Sequence, residues 1–337
     1  MELLKPSPAN SSPITPLGFL ERSATIYGDC TSIIYNSKTY TWNQTNQRCL
    51  QLASALKSVM GIQGGDVISV LSPNLPAMYE LHFAVPMSGA ILNNINTRLD
   101  ARTISVILCH SESKLIFVDF LSHSVILEAF SLFPPEIKPP VVILITDNDE
   151  DNSSSTVSLT YEGLLMKGDP NFKWVRPGSE WDPMVLNYTS GTTSAPKGVV
   201  HSHRGLFFTT VDSLIDWSVP KQPVFLWTLA MFHANGWCYP WGMAAVGGTN
   251  ICLRKFDFFF FDKRRHFIRR LTQMITMLIP INKINDPGKQ RSRLLEILSI
   301  ITTVFSYFIS YTITISLNMR DNTSIKRLRK KLNFTNV

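Results

Sequence analysis

The 337-residue chain has only five cysteines, Cys30, Cys49, Cys109, Cys238 and Cys252. The number is odd and no two lie at metal-ligand spacing, which excludes a disulfide scaffold and a zinc module and suits buried thiols in a reducing compartment. The amino terminus has no apolar signal region; it is broken instead by Pro6, Pro8, Pro13 and Pro16, so a secretory leader is not expected. The last three residues, Thr335-Asn336-Val337, are not a peroxisomal tripeptide. No internal repeat is visible. No Gly-x4-Gly-Lys-Ser/Thr string occurs, so the chain holds no Walker A loop.

Acidic charge is scarce only in one part of the chain. The formal net charge is +7, but residues 258–337 carry +11 and the preceding 257 carry −4. A fold with an acidic balance is a poor candidate for backbone-driven nucleic-acid binding, and no basic-aromatic surface pattern supports it. Hydrophobic residues make up 45% of the chain, enough for a substantial core.

What is present follows an alternating order. Residues 1–16 read as an extended arm and 17–27 as a helix. Residues 32–42 read as a hairpin about Asn36-Ser37. Thr41 is placed to cap a helix over 43–60, with Cys49, Leu52, Ala53, Leu56 and Val59 on one face. Residues 67–71 form an apolar strand. Residues 76–90 read as a helix that Pro86 must kink or end early. A helix over 100–110, a strand over 114–120, a helix over 122–133, a strand over 141–145 and a short helix over 161–167 follow. Strands alternating with helices predict an α/β fold with a parallel sheet covered on both faces. Residues 147–155 (DNDEDNSSS) read as a solvated acidic loop without the rigid placement that a hard cation needs.

The most informative stretch is LNYTSGTTSAPKG, residues 186–198. Thr189, Ser190, Thr192 and Thr193 supply four hydroxyls in five residues. Gly191 lets backbone approach a ligand closely. Pro196 stiffens the exit, and Lys197 adds a cation. Apolar residues 184–188 precede it as a buried strand. Residues 201–214, HSHRGLFFTTVDSL, read as a helix after Val199 and Val200. Strand, donor-rich loop, helix is a general way to present donors to an anion. Further on, a strand over 224–229 leads to Met231-Phe232-His233-Ala234-Asn235-Gly236-Trp237, and Gly247-Gly248-Thr249 opens another. His201 and His203 take a surface or capping role by default. Asn93, Asn94 and Asn96 read as loop residues with a structural role.

The YTSGTTxxPKG string resembles the signature loop of the AMP-forming, adenylate-forming enzymes, which include acyl-CoA synthetases and coumarate ligases. Ser194, where many relatives carry glycine, resembles the plant-type short- and medium-chain acyl-activating subgroup. The resemblance implies an incomplete amino-terminal domain of the adenylate-forming fold, with parallel and mixed sheets flanked by helices. It implies ATP-dependent adenylation of a carboxylic acid and then transfer to coenzyme A. Thr189, Ser190, Gly191, Thr192, Thr193 and Lys197 would hold the pyrophosphate end of ATP. Mg²⁺ would bridge those phosphates beside Thr192. His233 would lie near the acyl and adenylate phosphate groups, with Gly236 and Trp237 shaping the acyl pocket. By family the compartment would be cytoplasmic or peroxisomal.

The resemblance runs from about residue 16 to residue 257 and then stops. No Tyr-Gly-x-Thr-Glu and no Tyr-x-Ser/Thr-Gly-Asp segment follows. The expected organisation is therefore a partial adenylation domain over 1–257 and an unrelated tail over 258–337, whose Phe, Ile, Lys and Asn bias fits translated non-coding sequence. Within it, 297–319 is uncharged and spans a bilayer by length, although its Thr, Ser and Tyr content keeps hydrophobicity modest. Two functional readings follow: an acyl-CoA ligase left inactive by truncation, or a non-catalytic fragment that binds a partner or membrane through its basic, apolar tail.

Overall fold

The computed structural model describes residue 7 and residues 11–146, 159–189 and 196–255. The acidic run at 147–155, Ser190 to Thr193 of the hydroxyl-rich loop, and the tail with its 297–319 stretch lie outside the described residues. No helix among those described is long and apolar enough to cross a membrane.

Two sheets organise the chain. The larger has seven strands: β3 (Val67–Leu71), β4 (Ile91–Asn94), β5 (Leu115–Asp119), β6 (Val141–Ile145), β7 (Leu159–Thr160), β8 (Pro183–Thr189) and β9 (Lys197–Ser202). Their spatial order is β7-β6-β5-β3-β4-β8-β9, and every pairing is parallel except β8 with β9. The smaller sheet runs β10-β11-β1-β2, from β1 (Thr31–Tyr35), β2 (Lys38–Thr41), β10 (Val224–Leu226) and β11 (Thr249–Ile251). The β1–β2 hairpin turns at Asn36, whose φ of 52° suits an asparagine. β1 also pairs in parallel with β11, Ile33 opposite Asn250.

The helices are α1 (Gly18–Tyr27), α2 (Trp42–Ser58), α3 (Pro76–Met87), α4 (Ala101–Ser111), α5 (His123–Ser131), α6 (Tyr161–Leu165), α7 (His203–Asp216), α8 (Ala234–Trp237) and α9 (Tyr239–Val246). Thr41 caps α2 in a full capping box: its hydroxyl accepts from the Gln44 amide at 3.2 Å, and Gln44 Oε1 accepts from the Thr41 amide at 2.8 Å. Thr41→Ala should cost about 1 kcal/mol in a urea titration. Pro86 falls in the last turn of α3, which ends one residue later.

α3 is buried along its whole length and touches β1 of one sheet and β4 of the other. A helix buried on every side needs such a place, and its polar side chains Glu80 and His82 need partners there. One core cluster fills this inter-sheet layer, with Trp42, Phe83, Phe117 and Trp241 among its members. A second lies on the opposite face of the large sheet, where Leu71, Ile116 and Val118 meet Ile104 and Leu108 of α4. Strand alternation thus sends Phe117 to one layer and Val118 to the other.

Several sequence expectations need correction. The segment after the hydroxyl-rich loop is not a helix from residue 201: residues 197–202 pair antiparallel with β8 before α7 begins. Val199, Val200 and His201 supply the β-compatible run, and Ser202 caps α7 through the Gly205 amide. His203 is neither superficial nor the cap; it is buried, with Nδ1 2.9 Å from Thr15 Oγ1. Asn93 and Asn94 are buried strand residues of β4, not loop residues. The strand at 224 stops at Leu226.

Candidate active site

The hydroxyl-rich loop is the tip of the β8–β9 hairpin. Its two ends are fixed by register, with Thr189 opposite Lys197 and Tyr188 opposite Gly198. β8 is held on its other side by parallel pairing with β4, Asn94 opposite Asn187. Lys197 is exposed at the first position of β9.

Successive β8 side chains anchor to different layers. Tyr188 faces α4, where its hydroxyl lies 2.7 Å from His110 Nδ1 and the rings meet edge to face at 5.7 Å. Asn187 faces the inter-sheet side, and its Nδ2 donates to Asn235 Oδ1 at 2.5 Å. That bond joins the strand entering the loop to the segment that carries His233.

The His233 segment has an unusual backbone. Ala234, Asn235, Gly236, Trp237 and Cys238 all have positive φ, between 40° and 62°. For each non-glycine residue this conformation costs about 1–2 kcal/mol, so the surroundings must hold it. Asn74, between β3 and α3, ties the upstream side: its Nδ2 donates to the carbonyls of Trp227 and Leu229, and its Oδ1 accepts from the Met231 amide. Gly236 lies so close to Trp227 that a Cβ there would sit 2.6 Å from its ring. Asn235 is buried, and Asn187 Oδ1 and Asn235 Nδ2 are buried without hydrogen-bond partners among the described residues. Such atoms cost about 1–3 kcal/mol each.

His233 itself is exposed, stacked at an angle against Phe232 with ring centroids 6.4 Å apart. Desolvation, and secondly the charge of Arg98, lower its pKa from the ordinary imidazole value. The ring is therefore mainly neutral near pH 7, able to accept a hydrogen bond on one nitrogen and donate from the other. Trp237 is half-buried against the core. No group of three His, Cys, Asp or Glu side chains among the described residues is placed to hold a metal ion.

The sequence singled out Thr189, Lys197, His233, Gly236 and Trp237; the structure puts Thr189 opposite Lys197, and Gly236 and Trp237 in one left-handed turn that His233, itself extended, immediately precedes and that is tied to β8. It also adds Asn74, Asn187, Asn235 and Arg98, which sequence reasoning missed. The one signal for Asn187 was a polar residue inside an otherwise apolar strand.

The chain is similar in sequence and in fold to known proteins. The AMP-binding enzyme family model matches residues 20–284. The chain is 63% identical over 297 residues to 2-methylpropanoate–CoA ligase CCL4 of Humulus lupulus, covering 86% of this chain and 53% of that protein. It is 65% identical over 264 residues to probable acyl-activating enzyme 5, peroxisomal, of Arabidopsis thaliana, covering 76% and 47%. The chain thus spans about half the length of the curated relatives it matches. Among solved structures, the N-terminal domain of FACL13 from Mycobacterium tuberculosis superposes with a TM-score of 0.60 at 27% identity, covering 72% of this chain and 58% of that one.

Proposed function

The chain belongs to the AMP-binding enzyme family, and from that premise we propose that it carries the phosphate grip and the acyl-facing histidine of an acyl-activating enzyme. In that reaction a carboxylate attacks the α-phosphorus of ATP, giving an acyl-adenylate and releasing pyrophosphate. The thiol of coenzyme A then displaces AMP and forms the thioester. The first step concentrates negative charge on phosphate oxygens, so positioning and charge stabilisation dominate. Lys197 and the hydroxyls of Thr189, Ser190, Thr192 and Thr193 would orient the β- and γ-phosphates, with Gly191 allowing close approach. His233, largely neutral, would hydrogen-bond the reacting carboxylate or the adenylate phosphate. Gly236 and Trp237 would shape the acyl end.

The hydroxyl donor set suits Mg²⁺, a hard cation that keeps much of its water and takes phosphate oxygens. When bound, the ion neutralises phosphate charge; Thr192 is the chain's own ligand in this reading. The substrate class is a short to medium carboxylic acid, supported by the 2-methylpropanoate in the name of the Humulus lupulus ligase, and the compartment cytoplasmic or peroxisomal, the latter supported by the name of the Arabidopsis thaliana relative. Residues 1–257 form the adenylation part and 258–337 a separate tail. Without the Tyr-Gly-x-Thr-Glu and ribose-clamping segments, the 337 residues alone should turn over weakly or not at all.

The observation that carries this reading is the bond from Asn187 to Asn235, which sets the strand leading into the hydroxyl-rich loop beside the His233 turn. Calorimetric titration with MgATP tests it. The folded chain should bind, and Lys197→Ala should weaken binding about tenfold, roughly 1.4 kcal/mol. Pyrophosphate release with acids from acetate to octanoate should be near background for the chain alone. It should become acid-dependent once the chain is joined to the carboxyl-terminal half of the hop ligase. Folded protein that ignores MgATP, or binding indifferent to Lys197→Ala, would sink the proposal.

A further inference from the structure

We propose that Asn187 is a positioning residue: through its side-chain bond to Asn235 it fixes the His233 turn against the strand that enters the phosphate loop. The meaning of this for catalysis rests on the function proposed above; the geometry does not.

Three observations carry it. The first is energetic. The two amides satisfy each other with one bond and leave Asn187 Oδ1 and Asn235 Nδ2 buried and without a partner among the described residues. A branched apolar residue would suit the strand position without that penalty, as Val185 and Leu186 beside it do. The pair is thus an unfavourable choice for stability alone, the pattern expected where stability has been exchanged for a defined site.

The second is the strained turn. Five consecutive residues in the left-handed region need restraint at both ends. Upstream, Asn74 makes three bonds to residues 227–231, and Trp227 closes on Gly236. Within the turn, the Asn187 side chain supplies a bond from the large sheet.

The third is spacing. Asn187 stands two residues before Thr189 on the same strand face, and Asn235 two residues after His233. One hydrogen bond therefore sets the offset between two segments 48 residues apart in sequence.

The test compares wild type with Asn187→Val by nuclear magnetic resonance of the histidine rings in the full chain, with the His233 signal assigned from His233→Gln. In wild type the His233 midpoint should lie below about 6.5. In Asn187→Val the turn loses its tie, His233 becomes better solvated and leaves the field of Arg98, and the midpoint should move toward the free value, while Tm changes by less than about 4 °C. An unchanged His233 signal overturns the proposal. So does a Tm fall above about 10 °C, which would mark a merely structural pair. Asn187→Thr keeps a hydroxyl donor and a strand-compatible shape; it should give an intermediate midpoint, and it preserves the test should the valine variant fail to fold.

MgATP is then added to the same samples. The variant should keep its ATP affinity within about threefold while losing the ATP-induced shift of the His233 signal; a shift retained in full overturns the coupling. If wild type binds no MgATP, the proposed function fails, and the unliganded comparison still decides the role of Asn187.

Discussion

Arg48→Ala should destabilise the protein by about 3–5 kcal/mol, the cost of stranding a buried charge. Arg48 on α2 meets Glu80 of α3 through two bonds, Nε to Oε1 at 2.6 Å and Nη2 to Oε2 at 3.1 Å. Its remaining donors reach Glu162 of α6 at 2.6 and 3.0 Å, and Tyr161 donates to Glu80 Oε2 at 2.6 Å. Glu80 has no solvent exposure. Three helices therefore share one guanidinium. Burial raises the Glu80 pKa, while Arg48 and Tyr161 draw it back. With Arg48 removed the carboxyl is held further above its unfolded value. A group so raised loses stability as pH climbs from its unfolded pKa through its folded one. The penalty of Arg48→Ala should accordingly be larger at pH 8 than at pH 5, measured by urea unfolding. A penalty below about 1 kcal/mol, or one that grows on acidification, would refute the account.

The second large effect is acid lability from His82. This residue is fully buried in α3, its Nδ1 2.7 Å from the Met78 carbonyl and its Nε2 3.0 Å from Asn94 Nδ2. With Nδ1 donating to the carbonyl and Nε2 accepting from the amide, the neutral ring satisfies both contacts. Burial lowers its pKa to about 4. Between pH 6.5 and 4 the unfolded chain binds a proton that the native chain refuses. Stability from this group is thus complete above about 6.5 and lost as pH falls toward 4, by about 3 kcal/mol. His203, also lowered to about 4 by burial, adds in the same direction. His82→Gln should be less stable than wild type at pH 7.5 yet show a shallower decline between pH 6.5 and 4.5. Equal slopes would show that His82 does not titrate in this window.

Much of the large sheet was legible because its elements announce themselves locally. The mostly apolar strands at 67–71 and 141–145, the Thr41 cap and the Asn36 turn depend on neighbours in sequence. The loop chemistry was legible because hydroxyls, glycine and lysine crowd together at 189–197. What escaped was decided by distant partners. Lys197-Gly198-Val199-Val200-His201-Ser202 has no strong period of its own; it is a strand because β8 lies beside it. Ile91-Leu92-Asn93-Asn94 looked like a loop because two asparagines end it, yet Asn93 donates to Ser69 and Asn94 meets His82 inside the core. Arg48, Glu80 and Glu162 are unremarkable letters on three separate helices. The left-handed turn at 234–238 contains a single glycine, so its backbone could not be read from composition.

The small sheet has a consequence for how the protein is made. β1 sits between β2, its immediate hairpin partner, and β11, which lies 218 residues further along the chain. At a synthesis rate of about 5–20 residues per second, the ribosome holds the β1–β2 hairpin without its parallel neighbour for roughly 10–40 seconds. During that interval the Ile33 and Ile34 edge is open to strangers, and closing so long a loop is slow in its own right. Closure of this sheet must therefore wait until β11 has been made, and its yield in cells should depend on whatever shields a short β-hairpin until then.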